Sequence, residues 1–369
     1  MITSPHLEGL DLSVPLAQNA LQAANVLGSG CTVSGTHDVG QSFNNKVYRV
    51  QISHASGAEC HCEATLRDRQ LLALRLTRSS WPAQKILNEV SAVKEVQCRV
   101  PDIPVPLVFA FSSEVDPVLG CRWIAQEWIT GRRADQVWPE LDTQNRLALI
   151  RELAGVVARL QQLNYEAIGG LVTSESKQLV GPFFDLQAGP FPRIKEWLLC
   201  QMAAKQKNLD DLFEDFPESH CLQPWCSKVT DAVTTETIPP DALRSSFVLV
   251  HGDFTLKNVL LTLDGPRIAA VLDWEWAGAF PPDHEWRNGL DELEQVAMGD
   301  GSSALTAFHK ELAAAGGKCM ADITGGAERG EVVGAMEAVP PWELAFVPRD
   351  RVPHLVEQSI KTLQSLQWL

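Results

Sequence analysis

Between Val248 and Trp276 the chain reads VLVHGDFTLKNVLLTLDGPRIAAVLDWEW, with acidic and amide residues at the ends of short apolar runs. His251-Gly252-Asp253 follows the first run, Asn258 opens the second and Asp273 closes the third. If the runs are strands, a hairpin of this size gathers Asp253, Asn258 and Asp273 at one edge of a sheet. That trio suits phosphoryl transfer, which asks a protein mainly for positioning and charge neutralisation. Magnesium takes hard oxygen ligands and keeps several waters, so one carboxylate and one amide oxygen suffice beside nucleotide phosphates. Asp273 and Asn258 are the expected pair. Asp253 is left to orient an acceptor hydroxyl and take its proton.

Those residues need a scaffold, and its pattern changes near residue 130. Before Trp128 the chain reads as strand-rich with one helix. Lys46 to Ile52 sets Tyr48, Val50 and Ile52 on one face against Arg49 and Gln51 on the other, and Leu71 to Thr77 is a second strand. Ser80 is the expected cap of a helix from Pro82 to Arg99, with Pro82 in its first turn and Ile86, Val90, Val93 and Gln97 on one face. Leu107–Phe111 and Cys121–Ile129 pair as strands. After Thr130-Gly131, Asp142 caps a long helix bearing Leu147, Ile150, Leu153, Val157 and Leu160. Pro192–Lys207 and Glu218–Val233 also read as helical. Phe247–Val250, Val259–Thr262 and Ile268–Leu272 form a small sheet turned by Asp264-Gly265. The Gly/Ala-rich stretch from Ala313 to Gly334 reads as loose.

The string from His251 to Asn258, followed by Val271-Leu272-Asp273-Trp274-Glu275, resembles the aminoglycoside phosphotransferase and choline kinase-like family. The resemblance implies an α+β, bilobal protein-kinase-like fold: a small antiparallel β-rich N-lobe over 1–130 and a larger, mainly helical C-lobe over 131–369. It implies a phosphotransferase using ATP or GTP with Mg2+, with Asp253 as base, Asn258 and Asp273 on the metal, and His251 bracing the loop. Gly40 to Asn44, with Ser42 and Asn44, is similar to the family's phosphate-covering hairpin. Arg75, followed at helical position by Glu89, resembles the strand cation and its helix glutamate. Glu127, Trp128 and Ile129 fall in the expected purine-binding hinge. The lobes would bind nucleotide and acceptor respectively.

The chain departs from the wider kinase pattern in places. Arginine, a planar bidentate phosphate binder, stands where protein kinases have lysine. Leu160-Gln161 replaces a Leu-His pair common in the family, and His-Arg-Asp, Asp-Phe-Gly and Ala-Pro-Glu are missing from the sequence. A small-molecule acceptor is therefore expected rather than a protein. The alternative is a kinase-fold protein that binds ligand without phosphotransfer. Trp276, Asp283, His284, Glu285, Trp286, Asp291, Glu292 and Glu294 would form an acidic, tryptophan-bearing wall for an amine.

Composition bounds the rest. At 369 residues the chain is long enough for two lobes. A net charge of -15, from 31 basic and 46 acidic residues, disfavours nucleic acid and anionic membrane and tolerates a cationic acceptor. Nine cysteines without framework spacing, Cys60-His61-Cys62 and His220-Cys221 with Cys226 included, read as free thiols in a reducing compartment. Met1 to Leu16 lacks a signal-peptide pattern, and a cytoplasmic location is expected.

Overall fold

The computed structural model describes residues 11–28, 30–41, 45–54, 70–77, 81–174, 177–213, 216–235, 246–285, 303–319, 326–339 and 349–368, with 290, 292–296 and 298. Ser42, Asn44, Ser80, Cys60–Cys62, Trp286 and Asp291 lie outside them.

The N-terminal part is a twisted antiparallel sheet in the order β1-β2-β3-β5-β4. Its strands are β1 (Cys31–Gln41), β2 (Asn45–His54), β3 (Leu71–Thr77), β4 (Val108–Ser112) and β5 (Arg122–Glu127). As the alternation demands, Tyr48, Val50 and Ile52 are buried while Arg49 and Gln51 face solvent. Helix α1 (Val14–Ala23), capped by Ser13, joins one core with Val50, Leu72, Leu74 and Trp123. This helix was not anticipated from the sequence, which suggested only one before residue 130.

Helix α2 (Ala83–Arg99) covers the other face, with Ile86 and Val90 against Ile124. Successive strand residues point to opposite faces. Leu72, Leu74 and Leu76 therefore serve the α1 core, and Arg75 emerges on the α2 side. Pro82 is the N-cap of α2 rather than a first-turn residue. The helix is not simply amphipathic either: Lys85, Asn88, Glu89, Ser91 and Glu95 are buried too. The reason is a second partner. Asn88 Nδ2 donates to the carbonyls of Glu275 and Ala277 at 3.0 and 2.8 Å, and its Oδ1 accepts from Leu171 N–H at 2.6 Å. Helix α2 is thus clamped between the N-terminal sheet and the C-terminal part.

The C-terminal part is built on α3 (Ala134–Val137), α4 (Thr143–Leu160), α5 (Ile194–Phe213), α6 (Gln223–Thr234), α7 (Glu292–Gln295), α8 (Ala304–Ala314), α9 (Gly326–Glu337) and α10 (Val352–Ser365). Asp142 caps α4 as expected, accepting from Asn145 N–H at 2.8 Å. Helix α5 runs further than its expected end, and the expected helix at 218–233 begins as a 3-10 turn, Pro217–Leu222. Helix α9 occupies much of the stretch expected to be loose, because Val332, Val333 and Met336 bury against α6 and its neighbours.

Among the described residues eight strands interrupt these helices: β6 (Arg132–Arg133), β7 (Asn164–Tyr165), β8 (Gly169–Ser174), β9 (Lys177–Gly181), β10 (Phe247–Val250), β11 (Val259–Leu261), β12 (Ile268–Val271) and β13 (Gly278–Phe280). The single small sheet expected from the sequence is two sheets. Strand β10 belongs to β7-β10-β13-β8-β9, while β11 pairs with β12 on one side and β6 on the other. Hydrogen bonding to β6 and β13, both too short to show periodicity, divides them. Gly131 marks the crossing between the two parts, because a Cβ there would stand 2.6 Å from the Leu261 carbonyl oxygen. Among the described residues no helix is long and apolar enough to cross a membrane.

Candidate active site

Residues 251–258 link the two C-terminal sheets, leaving β10 and entering β11 through a 3-10 turn, Leu256–Asn258. Gly252 sits at φ 80°, and a Cβ there would stand 2.4 Å from the Trp276 carbonyl oxygen, so only glycine lets the loop pass. Asn258 Nδ2 then donates to both the Asp253 carbonyl and Asp253 Oδ2, each at 2.8 Å. Leu272 N–H donates to the Asn258 carbonyl at 2.8 Å, which ties the end of β12 to the loop. Asp253 and Asn258 are thus directly joined, and Asp273 is the next residue along that tie.

His251 is completely buried and links the same pieces. Its Nδ1 accepts from Asp253 N–H at 3.2 Å, which leaves the proton on Nε2, and Nε2 donates to the Leu272 carbonyl at 2.9 Å. Burial pulls its pKa down to about 4, so the ring stays neutral. Glu285, also buried, accepts from the N–H groups of His251 and Gly252 at 2.6 and 3.1 Å. Its burial outweighs these bonds and raises its pKa to about 7. Glu292 accepts from Leu256 N–H. The expected acidic wall is therefore corrected in part: Glu285 and Glu292 turn their carboxylates onto the loop backbone, whose N–H groups need acceptors. His284 stacks on Phe280 with centroids 4.0 Å apart.

On the other side of the site, Arg75 pairs with Glu89 of α2, and its Nη1 lies 3.0 Å from Asp273 Oδ1. Asp273 adopts left-handed dihedrals, φ 64° and ψ 57°, which turn the chain sharply out of β12. Its side chain is 24% exposed. Burial and then the nearby Glu275 carboxylate raise its pKa, against the pull of Arg75. For Asp253 burial again raises the pKa, opposed by Lys257, whose Nζ is 3.4 Å from Oδ2.

Sequence reasoning missed a second buried pair. Lys85 of α2 is 0% exposed and contacts Glu275 Oε2, to which Asn45 Nδ2 also donates at 2.7 Å. Burial lowers the Lys85 pKa while Glu275 opposes it. Burial would raise Glu275, yet Lys85 and then Arg75 bring it below its ordinary value. Two donors on one oxygen mark an ionised pair. The Asp-Trp-Glu string pointed at Glu275, but nothing local pointed at Lys85.

The hinge residues lie where the chain leaves β5. Glu127 N–H donates to the Leu107 carbonyl at 2.8 Å and Glu127 Oε2 accepts from Leu107 N–H at 3.2 Å. Trp128 and Ile129 are half-buried, and Arg49 lies 5.7 Å over the Trp128 ring. Beside the loop, Trp276, Trp81 and Phe184 form an aromatic cluster with centroids 4.8 to 6.1 Å apart.

The sequence profile of the phosphotransferase enzyme family APH matches residues 43–286, which holds the whole of this arrangement from β2 to Glu285. The chain belongs to that family. Its fold is shared with the ADP-bound aminoglycoside phosphotransferase APH(2'')-Ib, at a TM-score of 0.62 and 11% identity over 96% of this chain and 99% of that one. It is shared also with APH(2'')-IIa from a ternary complex with streptomycin and ATP, at 0.58 and 13% over 97% of each chain. A curated relative, the probable acyl-CoA dehydrogenase IBR3 of Arabidopsis thaliana, is 26% identical over 206 residues. That match covers 53% of this chain and 22% of the plant protein, so the chain spans about a fifth of the relative's length. The dehydrogenase name is that of the whole plant protein. The kinase-like phosphotransferase fold expected from the sequence is the fold observed, with a β-rich N-terminal part and a mainly helical C-terminal part.

Proposed function

We propose that this phosphotransferase moves the γ-phosphoryl group of ATP or GTP to a hydroxyl of a small metabolite, with Asp253 as the base. The observation that carries the reading is the convergence of the Asp253–Asn258 unit with the Arg75–Glu89–Asp273 cluster. Asp253 Oδ2 is held by Asn258, and burial raises its pKa toward the working range of a general base. It orients the acceptor hydroxyl and takes its proton as the oxygen bonds to the γ-phosphorus. The bond from that phosphorus to the β–γ bridging oxygen breaks, and the nucleoside diphosphate leaves.

The donor set fits a hard cation. Asp273 offers a carboxylate, and Asn258, whose amide nitrogen is spent on Asp253, offers its oxygen. When bound, Mg2+ would supply charge neutralisation between the β- and γ-phosphates. Arg75 is positioned by Glu89 to reach the same phosphates. Ser42 and Asn44, which fall between β1 and β2 in the sequence, would contact them. Because the Glu127 N–H is committed to Leu107, purine contacts fall to Trp128 and Ile129 and to the Glu127 carbonyl. Residues 1–130 would thus serve the nucleotide and residues 131–369 the loop and acceptor. ADP in one structural relative, and ATP with streptomycin in another, support a nucleotide donor and a small hydroxylated acceptor. Such a donor is in keeping with the cytoplasm. The Trp276–Trp81–Phe184 cluster gives the acceptor an aromatic surface, suited to an apolar or a cationic face alike.

Calorimetric titration of ATP with and without magnesium tests this reading. Magnesium should tighten binding to the native protein, and Asp273→Ala should abolish the gain. An equal magnesium effect in the variant would remove Asp273 from the metal site.

A further inference from the structure

A cavity of about 510 Å³ opens between the segment after α2, helix α4 and the turn before β12. None of the phosphotransfer residues line it. Ten residues do, and three are arginines: Arg151, Arg159 and Arg267. That is a marked concentration in a chain of net charge -15.

The charges facing this space are unequally matched. Arg151 is tied to Glu311 of α8, with Nε–Oε2 at 2.8 Å. Glu152 turns Oε2 onto Ile268 N–H at 2.6 Å, and Asp102 stands exposed at the rim. Arg159 has no ion pair or hydrogen bond to its side chain among the described residues, and its Nε is sealed from solvent without an acceptor. Its guanidinium lies back over Gly155, where a Cβ would stand 3.6 Å from Nη1. Arg267, on the exposed turn, feels the Asp264 carboxylate of the same turn but forms no close ion pair with it. A guanidinium without an acceptor is costly, and because Nε is sealed, the terminal nitrogens of Arg159 are the ones left to meet an anion in the cavity.

We propose that this cavity is a binding site for a small phosphate-bearing metabolite, separate from the phosphotransfer cleft. Arg159 and Arg267 would anchor the phosphate and Arg151 would supply a third guanidinium edge. Several planar forks around one space match the three oxygens of a phosphate monoester better than a single carboxylate. The volume lies within the roughly 300–1,000 Å³ of small-molecule pockets, so there is room for an organic body. Pro104, Val156 and Ile268 supply apolar walls for it. A ligand here also touches segments that lead to the cleft. The Pro104 carbonyl accepts from Val271 N–H at 2.9 Å, two residues before Asp273.

The test is calorimetric titration with glycerol phosphate, and with glycerol as the phosphate-free control. The titration is run on the native chain with the cleft filled by a non-hydrolysable ATP analogue and magnesium. One saturable site for glycerol phosphate is expected, with no response to glycerol. Arg267→Gln, on an exposed side chain that the fold does not need, should weaken binding about tenfold, and Arg159→Gln by at least as much. Arg193→Gln, on α5's approach, should change nothing. Absence of saturable binding, binding that vanishes once the cleft is filled, or equal affinity in Arg267→Gln and native protein would each overturn the proposal.

Discussion

Around α2 every charge in the site meets another charge, whereas the loop at 251–258 is held by carboxylates and an imidazole on backbone groups. Arg75 lies between Glu89 and Asp273, and Lys85 lies on Glu275, all deep between the N-terminal sheet and the C-terminal part. His251, Glu285 and Glu292 instead grip the loop through N–H and carbonyl groups. The first arrangement places charge where phosphates would need it, and half of a buried pair is far worse than none. The second fixes the position of one carboxylate, Asp253, chiefly through backbone groups, with the exposed Lys257 ammonium at 3.4 Å as its counter-charge. A phosphotransferase needs both: electrostatics on the donor side and geometry on the acceptor side.

The sharpest way to break that contrast is to strand a charge. Glu275→Leu leaves Lys85 fully buried and unpaired and should destabilise the protein by about 3–5 kcal/mol in chemical denaturation. Adding Lys85→Met should recover much of that loss, since an apolar pair of similar volume is tolerated where a lone charge is not. Additive costs in the double variant would mean that the pair is not a unit. Arg75→Ala is expected to behave like the first of these, because it strands Glu89.

The loop side should respond to pH instead. The Glu285 pKa is raised by burial from 4.5 to about 7 in the folded state. Folding therefore binds a proton there, so its contribution is fully present below pH 4.5 and is lost as pH rises through 7. Glu285→Gln should flatten the stability profile between those limits by roughly 3 kcal/mol, taking about 1.4 kcal/mol per pH unit. Asp273 adds the same sign of slope in both proteins, so their difference isolates Glu285. Parallel profiles would show that Glu285 does not titrate there. A smaller effect is expected from Arg75→Lys. The ammonium can keep Glu89 but loses the fork that also reaches Asp273, so ATP affinity should fall about tenfold, or about 1.4 kcal/mol. A loss under about twofold would show that a point charge suffices.

The same contrast explains what the sequence could tell. Strands β2 and β3, helices α2 and α4, and β10 to β12 carry enough alternation or 3.6-residue periodicity to be read locally. Asp253, Asn258 and Asp273 were legible because the loop and hairpin that unite them are nearly contiguous. Strands β6 to β9 and β13 are short or glycine-bearing and take their identity from distant partners, so no local pattern announced them. Lys85 and Asn88 gain their roles only when α2 docks on residues 275–277, some 190 positions away, and Asn45 of β2 reaches Glu275 across 230 positions. Glu285 looked like part of a charged surface because a carboxylate that serves backbone N–H groups leaves no mark on composition.

The most direct test of the central claim is turnover by Asp253→Asn, measured with γ-labelled ATP and magnesium on whichever acceptor the native protein phosphorylates best. The amide keeps the size and the contact to Asn258 but cannot take a proton. Turnover should fall by about 10²–10⁴-fold while ATP affinity stays within about twofold of native. Near-native turnover in that variant would contradict the assignment of Asp253 as the base.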